Sequence, residues 1–142
     1  MDQFVEFVGN HPALFGAFAL VLLALIINEL HGNLRGPKRL STAEAIRLIN
    51  DSDALIVDVR TPADFKKGHI INARNVPISK LGEQHKELAK AKGKPVITYC
   101  ALGSVAPTAT DKLKAQGLDP VYVLKGGLNA WQAAGLPVTT KA

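Results

Sequence analysis

The chain has a single cysteine, Cys100, so it can form neither an internal disulfide nor a multi-cysteine metal site. What remains for that thiol is packing or chemistry, and its setting admits both. It directly follows the run Val96-Ile97-Thr98-Tyr99. The stretch Ala101-Leu102-Gly103-Ser104-Val105 then leads towards Pro107, a residue favoured in a first helical turn because no N–H partner is needed there. A thiol placed before a helix N-terminus faces unpaired backbone N–H groups and the positive end of the helix dipole, which favour a thiolate or a bound anion. Gly103 can take the backbone angles that turn successive N–H groups inward as an anion-binding nest. The competing reading makes Cys100 a small buried hydrophobe. Two further segments carry polar groups of interest. In Asp58-Val59-Arg60 the charged pair could orient a loop or form an ion pair, and in Lys125-Gly126-Gly127 a lysine precedes two glycines.

Each of these segments closes a short β-branched run. Leu55-Ile56-Val57-Asp58-Val59, Val96-Ile97-Thr98-Tyr99 and Val121-Tyr122-Val123-Leu124 have the pattern of strands buried on both faces. Ser41 and Glu44 have capping-box spacing ahead of Ala45, Ile46, Leu48 and Ile49, which predicts a short amphipathic helix. Further helices are predicted over 82–91, 107–116 and 128–134, with Gly93, Gly117 and Gly135 as stops. Strands alternating with helices predict an α/β fold, a mostly parallel sheet flanked by helices. In such a sheet ligands bind outside the C-terminal strand ends, where the three segments would converge.

Ahead of that domain, residues 7–28 carry no formal charge and 13–27 are apolar apart from one glycine. As a helix the uncharged stretch would rise about 33 Å, enough to cross a hydrocarbon core of roughly 30 Å. A signal peptide would need a basic n-region and a small-residue cleavage site, and neither is present. A buried helix of a soluble fold is the other rival, but nothing downstream needs one. The organisation expected is therefore a transmembrane anchor over 1–31, a linker over 32–39 interrupted by Gly32 and Gly36-Pro37, and one α/β domain over 40–142. Arg35, Lys38 and Arg39 flank the apolar run on its C-terminal side and no cation precedes it, which orients the N-terminus outside and the domain in the cytoplasm. Ala13 and Ala17 have the spacing of a small-residue pairing face, a weak signal beside plain lipid exposure. Three of the 12 acids lie before the anchor ends and all 17 Lys and Arg lie beyond residue 30. Those cations are dispersed among acids along the chain, the pattern of a solvated surface and not of a nucleic-acid footprint.

From about Leu40 onward the sequence resembles the rhodanese family. The resemblance rests on Leu55-Ile56-Val57-Asp58-Val59-Arg60, Phe65-Lys66-Lys67-Gly68-His69-Ile70 and Ala73-Arg74-Asn75-Val76-Pro77. It continues through Tyr99-Cys100 with Gly103, then Val123-Leu124-Lys125-Gly126-Gly127, Trp131 and Gly135-Leu136-Pro137. Each match is short, and their order and spacing together make them specific. The N-terminal segment, with Phe7-Val8-Gly9-Asn10-His11-Pro12 before the apolar run, also looks like that of membrane-anchored YibN-type rhodaneses of proteobacteria, which implies a bacterial inner membrane.

The resemblance implies that Cys100 accepts a sulfane sulfur as a persulfide and passes it to a thiophilic acceptor. Donor and acceptor would be small molecules or proteins, with no cofactor. Ala101, Leu102, Gly103, Ser104 and Val105 would form the binding loop, with Lys125 nearby and Asp58 and Arg60 in support. Thr61-Pro62-Ala63-Asp64 resembles a capped helix start, Gly68-His69-Ile70 is expected to fix a turn with His69 bonded to backbone, and Trp131 reads as core. Active members of the family often carry arginine or lysine in the loop, where this chain has Ala101 and Val105. A dianion such as thiosulfate is therefore expected to be a poor donor. Phosphatases sharing the fold need an arginine at a position occupied here by Ala106, so phosphatase activity is not expected. Two other classes stay open: a non-enzymatic module docking a membrane-protein partner, with Cys100 incidental, and a thiol redox sensor.

Overall fold

A computed structural model of the chain describes residues 1–83 and 85–141, with the side chains of 32–35 outside the description. The chain forms two compact units, Met1–Gly36 and Pro37–Ala142.

The first unit holds α1 (Asp2–Asn10) and α2 (Pro12–Arg35). Hydropathy alone predicted one helix through this region, but the helix breaks at His11, whose φ of −129° and ψ of 55° are not helical. The ring of Pro12 disfavours the helical conformation for the residue before it, while Pro12 itself suits a first helical turn. Gly32, expected to interrupt the helix, lies inside α2. A lone glycine costs a helix only about 1 kcal/mol, too little to stop one, and the end comes before Gly36-Pro37. Among the described residues, Pro12–His31 is the one segment long and apolar enough to cross a membrane, and none of it is buried.

In the second unit the elements run β1 (Arg39–Leu40), α3 (Thr42–Ser52), β2 (Leu55–Asp58), α4 (Pro62–Lys67), β3 (His69–Ile70) and β4 (Arg74–Asn75). After a 3-10 turn at Ile78–Lys80 come α5 (Lys86–Ala89), β5 (Val96–Tyr99), α6 (Ala106–Ala115), β6 (Val121–Leu124), α7 (Gly127–Ala133) and β7 (Val138–Thr139). Five strands form a parallel sheet in the order β1-β6-β5-β2-β4, and β3 pairs antiparallel with β7. The β-branched runs bury both faces. Val57, Val59, Val96, Val121 and Val123 pack with Leu88 of α5 and Leu113 of α6. Ile56, Ile97, Tyr99 and Leu124 pack with Ala45 of α3 and Trp131 of α7. Trp131 is core, as its position implied, and its indole N–H donates to the Pro137 carbonyl at 3.0 Å.

Helix α3 starts on the expected capping box. The Ser41 hydroxyl accepts from the Glu44 N–H at 3.2 Å and the Glu44 carboxylate from the Ser41 N–H at 2.8 Å. Those bonds, the backbone one first, hold the Glu44 carboxyl below its usual pKa. Helix α4 likewise opens on Thr61, whose hydroxyl accepts from the Asp64 N–H. Two expectations change. The helix predicted over 82–91 is reduced to the single turn of α5, because between Leu81 and Leu88 the chain offers mainly polar residues and a glycine with nothing to bury. The turn expected at Gly68-His69-Ile70 is strand β3, drawn into pairing by Val138–Thr139.

Candidate active site

Strand register brings the expected segments together. Asp58 lies opposite Tyr99, and Thr98 opposite Val123, so Val59-Arg60, Cys100 and Lys125-Gly126 leave the sheet at one edge. Cys100 is 5% exposed, and its Sγ accepts a hydrogen bond from the Gly103 N–H at 3.0 Å. The bond depends on Gly103 turning back at φ +89°, a left-handed conformation that side chains rarely adopt. Space is also short there, since a Cβ on Gly103 would lie 3.3 Å from the Gly126 nitrogen.

The other side of the loop is held by α7. The Leu128 N–H donates to the Cys100 carbonyl at 2.9 Å and the Asn129 N–H to the Ala101 carbonyl at 3.1 Å. Because peptide units are planar and trans, the N–H groups of Ala101 and Leu102 then point away from α7. Gly127 makes this approach possible: at φ +59° it lies against the loop, and a Cβ would collide with the Cys100 carbonyl oxygen and come within 2.8 Å of the Ala101 carbonyl. Helix α6 begins just beyond, at Ala106, with no side-chain cap from Val105. Its first turn is tied to β5 by Thr98, whose hydroxyl donates to the Ala106 carbonyl at 3.5 Å, and the same carbonyl accepts from the hydroxyl of Thr110 within the helix at 3.1 Å. The Cys100 sulfur thus sits in a backbone frame in which α7 engages the Cys100 and Ala101 carbonyls while the Ala101 and Leu102 N–H groups point the other way, an arrangement that can receive an anion.

The remaining predicted residues divide. Gly103 is buried, whereas Ala101, Leu102, Ser104 and Val105 are exposed, Leu102 at 65% and Val105 at 41%. They present an open, uncharged surface, apolar except for the Ser104 hydroxyl, beside a nearly buried thiol and do not wall off a closed pocket. Lys125 is exposed, its N–H donates to the Leu40 carbonyl, and no hydrogen bond or ion pair among the described residues joins its ammonium to the loop.

Asp58 and Arg60 form a close ion pair. Asp58 is fully buried and accepts from the Arg60 N–H at 2.9 Å, from Nε at 3.0 and 3.1 Å and from Nη2 at 2.7 Å. Nη2 also donates to the Gly68 carbonyl at 2.7 Å, tying the end of β2 to the end of α4. Burial disfavours the Arg60 cation, but the Asp58 bonds and charge outweigh it and raise its pKa. Asn75 spans the same corner, its amide donating to the Asp58 and Arg60 carbonyls at 3.1 and 3.0 Å.

Tyr99, the residue before Cys100, lies under the Arg60 guanidinium at 5.7 Å, and its phenol oxygen accepts from the Ile70 N–H at 3.1 Å. Burial, and after it the Asp58 carboxylate, push that phenol well above its usual pKa. His69 is buried with its two ring nitrogens 2.8 Å from the Phe65 and Lys141 carbonyls, a backbone-bound histidine as its motif implied. Sequence reading had not assigned the parts played by Tyr99, Asn75 and the N–H groups of Leu128 and Asn129. Only the glycine pair following β6 marked the place where α7 meets the loop.

Known proteins resemble this chain in sequence and in fold. The family profile described as rhodanese-like domain matches residues 41–134. The uncharacterized protein YibN of Escherichia coli K12 is 35% identical over 139 residues, covering 97% of each chain. The thiosulfate sulfurtransferase GlpE of Coxiella burnetii (strain RSA 331 / Henzerling II) is 35% identical over 96 residues, 68% of this chain and 88% of that one. Among solved structures, a rhodanese-related protein from Thermoplasma volcanium matches with a TM-score of 0.63 and 29% identity, over 73% of this chain and 99% of its own.

Proposed function

The chain belongs to the rhodanese-like domain family, and on that premise we propose that it is a membrane-tethered sulfurtransferase or sulfur carrier working through Cys100. The Cys100 thiolate attacks the sulfane sulfur of a donor, the donor's bond to that sulfur breaks, and the remaining fragment leaves with the bonding pair. An acceptor thiolate or cyanide then attacks the terminal sulfur of the Cys100 persulfide, and the cysteine thiolate is regenerated. The observation that carries this reading is the Gly103 N–H on Cys100 Sγ at 3.0 Å, in a loop whose Cys100 and Ala101 carbonyls are taken up by α7. The likeness to a protein named as a thiosulfate sulfurtransferase supports it. The tether in this reading is α2, with the cations after it holding the domain at the cytoplasmic face of a bacterial inner membrane. The likeness to YibN extends through this segment, covering 97% of each chain.

One observation favours a second reading. Leu102 and Val105 expose an uncharged apolar surface at the site, which suits docking on a membrane-protein partner without chemistry at Cys100.

Intact mass separates the two. Both core clusters of the second unit lack any residue before Leu40, so the fragment 37–142 carries its own core. Treated with a persulfide donor, that fragment should gain the mass of one sulfur atom, and Cys100→Ser should stay folded and gain none. A folded wild-type fragment that takes up no sulfur from any sulfane donor would leave the docking reading in place.

A further inference from the structure

We infer that α1 is an interfacial helix whose Phe4, Phe7 and Val8 face lies in the headgroup boundary of the leaflet where α2 begins. This rests on the reading of α2 as membrane-spanning. Along α1 the apolar residues Phe4, Val5, Phe7 and Val8 recur at helical spacing on one side, and Asp2, Gln3, Glu6 and Asn10 occupy the other. Such a helix suits a surface between water and hydrocarbon, not the bilayer interior, where two carboxylates would be stranded.

The fold shows that α1 leaves the axis of α2. In one continuous helix Phe4 and Phe15 would be about 16 Å apart along the axis. Here their rings meet edge to face with centroids 6.1 Å apart, and Phe7 meets Phe15 the same way at 6.0 Å. The break at His11-Pro12 turns α1 back beside the first turns of α2. Phe15 covers only part of the apolar face, and Phe4, Val5 and Phe7 remain 66, 68 and 48% exposed. That surface continues into Leu14 and Phe18 of α2, each 61% exposed, so the lipid that covers α2 reaches α1 as well. Aromatic rings clustered at the end of a span are what the interface favours. Residues 1–30 contain no Lys or Arg, so insertion depends on apolar area and not on anionic headgroups.

The test uses the full chain in vesicles of zwitterionic lipid, with Trp131 as a constant background. Phe4→Trp and Gln3→Trp place the same indole about 100° apart around α1, one on the apolar face and one on the polar side. Lipids brominated at shallow acyl positions should quench Phe4→Trp more than deep ones do, and at least about twofold more than they quench Gln3→Trp. Adding anionic lipid should leave the difference unchanged. Equal quenching of the two variants, or strongest quenching of Phe4→Trp by deep bromines, overturns the inference. So does quenching of Phe4→Trp that changes with the protein-to-lipid ratio, the mark of α1 pairing with a second copy. Release of the wild-type chain from vesicles by alkaline carbonate would instead defeat the spanning reading of α2, and this inference with it.

Discussion

No side chain from Ala101 to Val105 carries a charge, so a dianion at Cys100 would exchange its hydration for backbone dipoles alone. Val105 is 41% exposed at the start of α6, where an arginine could reach a bound anion while staying partly solvated. One charge-assisted hydrogen bond contributes about 1.5–3 kcal/mol, equivalent to roughly tenfold to a hundredfold in rate. Val105→Arg should raise turnover of thiosulfate by that factor and turnover of a low-charge persulfide donor far less. Lys125→Ala should depress residual thiosulfate activity if the exposed ammonium swings to the site. Brisk wild-type turnover of thiosulfate, with both variants indifferent, would show that backbone geometry suffices. Tyr99 yields a prediction in pH. Its phenol is kept protonated by burial and by Asp58, so its stabilising contribution is complete below the unfolded value of about 10 and is lost as pH rises through the higher folded one. Urea unfolding of the fragment 37–142 should therefore weaken from about pH 9.5 upward more steeply in wild type than in Tyr99→Phe. At neutral pH the variant should be less stable by about 1 kcal/mol for its lost bond to the Ile70 N–H. Parallel alkaline curves would assign the transition to another group.

At the scale of elements, the meeting of α7 with the β5–α6 loop decides how Cys100 is presented. Gly127→Ala would put a methyl group into the Cys100 carbonyl, and a left-handed alanine adds strain of about 1–3 kcal/mol. Alkylation of Cys100 in the folded fragment should slow by about tenfold or more, with stability falling by at least the strain. Gly135→Ala is the control, since that glycine is also left-handed, at φ +73°, yet a Cβ there meets nothing within 4 Å. It should lose stability from strain alone and keep its alkylation rate. Equal rates in all three proteins would mean that α7 does not set the loop.

For the whole molecule the predictions concern what the first unit does for the second. Deleting residues 1–36 should leave the fragment folded and in the soluble fraction, because its core draws on nothing before Leu40. A reporter fused at the C-terminal end of the full chain should behave as cytoplasmic, given cations only on that side of α2. Export of the reporter would reverse the orientation, and persistent membrane fractionation of the deleted protein would move the anchor elsewhere.

Much of this was legible in the sequence because the signals are local. β-Branched runs marked β2, β5 and β6, Ser41 and Glu44 marked the start of α3, and Pro107 placed a helix just after Cys100, so the order of strand, thiol and helix followed from neighbouring residues. Local signals misled where two competed. Over 1–31 the hydropathy of the run concealed what Pro12 does to His11, and the helix divides there. What the tertiary structure alone decided involves partners distant in the chain. Strand β3 exists because Val138–Thr139 lies beside it, and the His69 ring is held partly by the Lys141 carbonyl. The frame around Cys100 is of the same kind. Carbonyls received by the N–H groups of Leu128 and Asn129 leave no mark in a side-chain pattern, since every residue but proline offers the same donor, and only the packing of α7 selects which donors arrive.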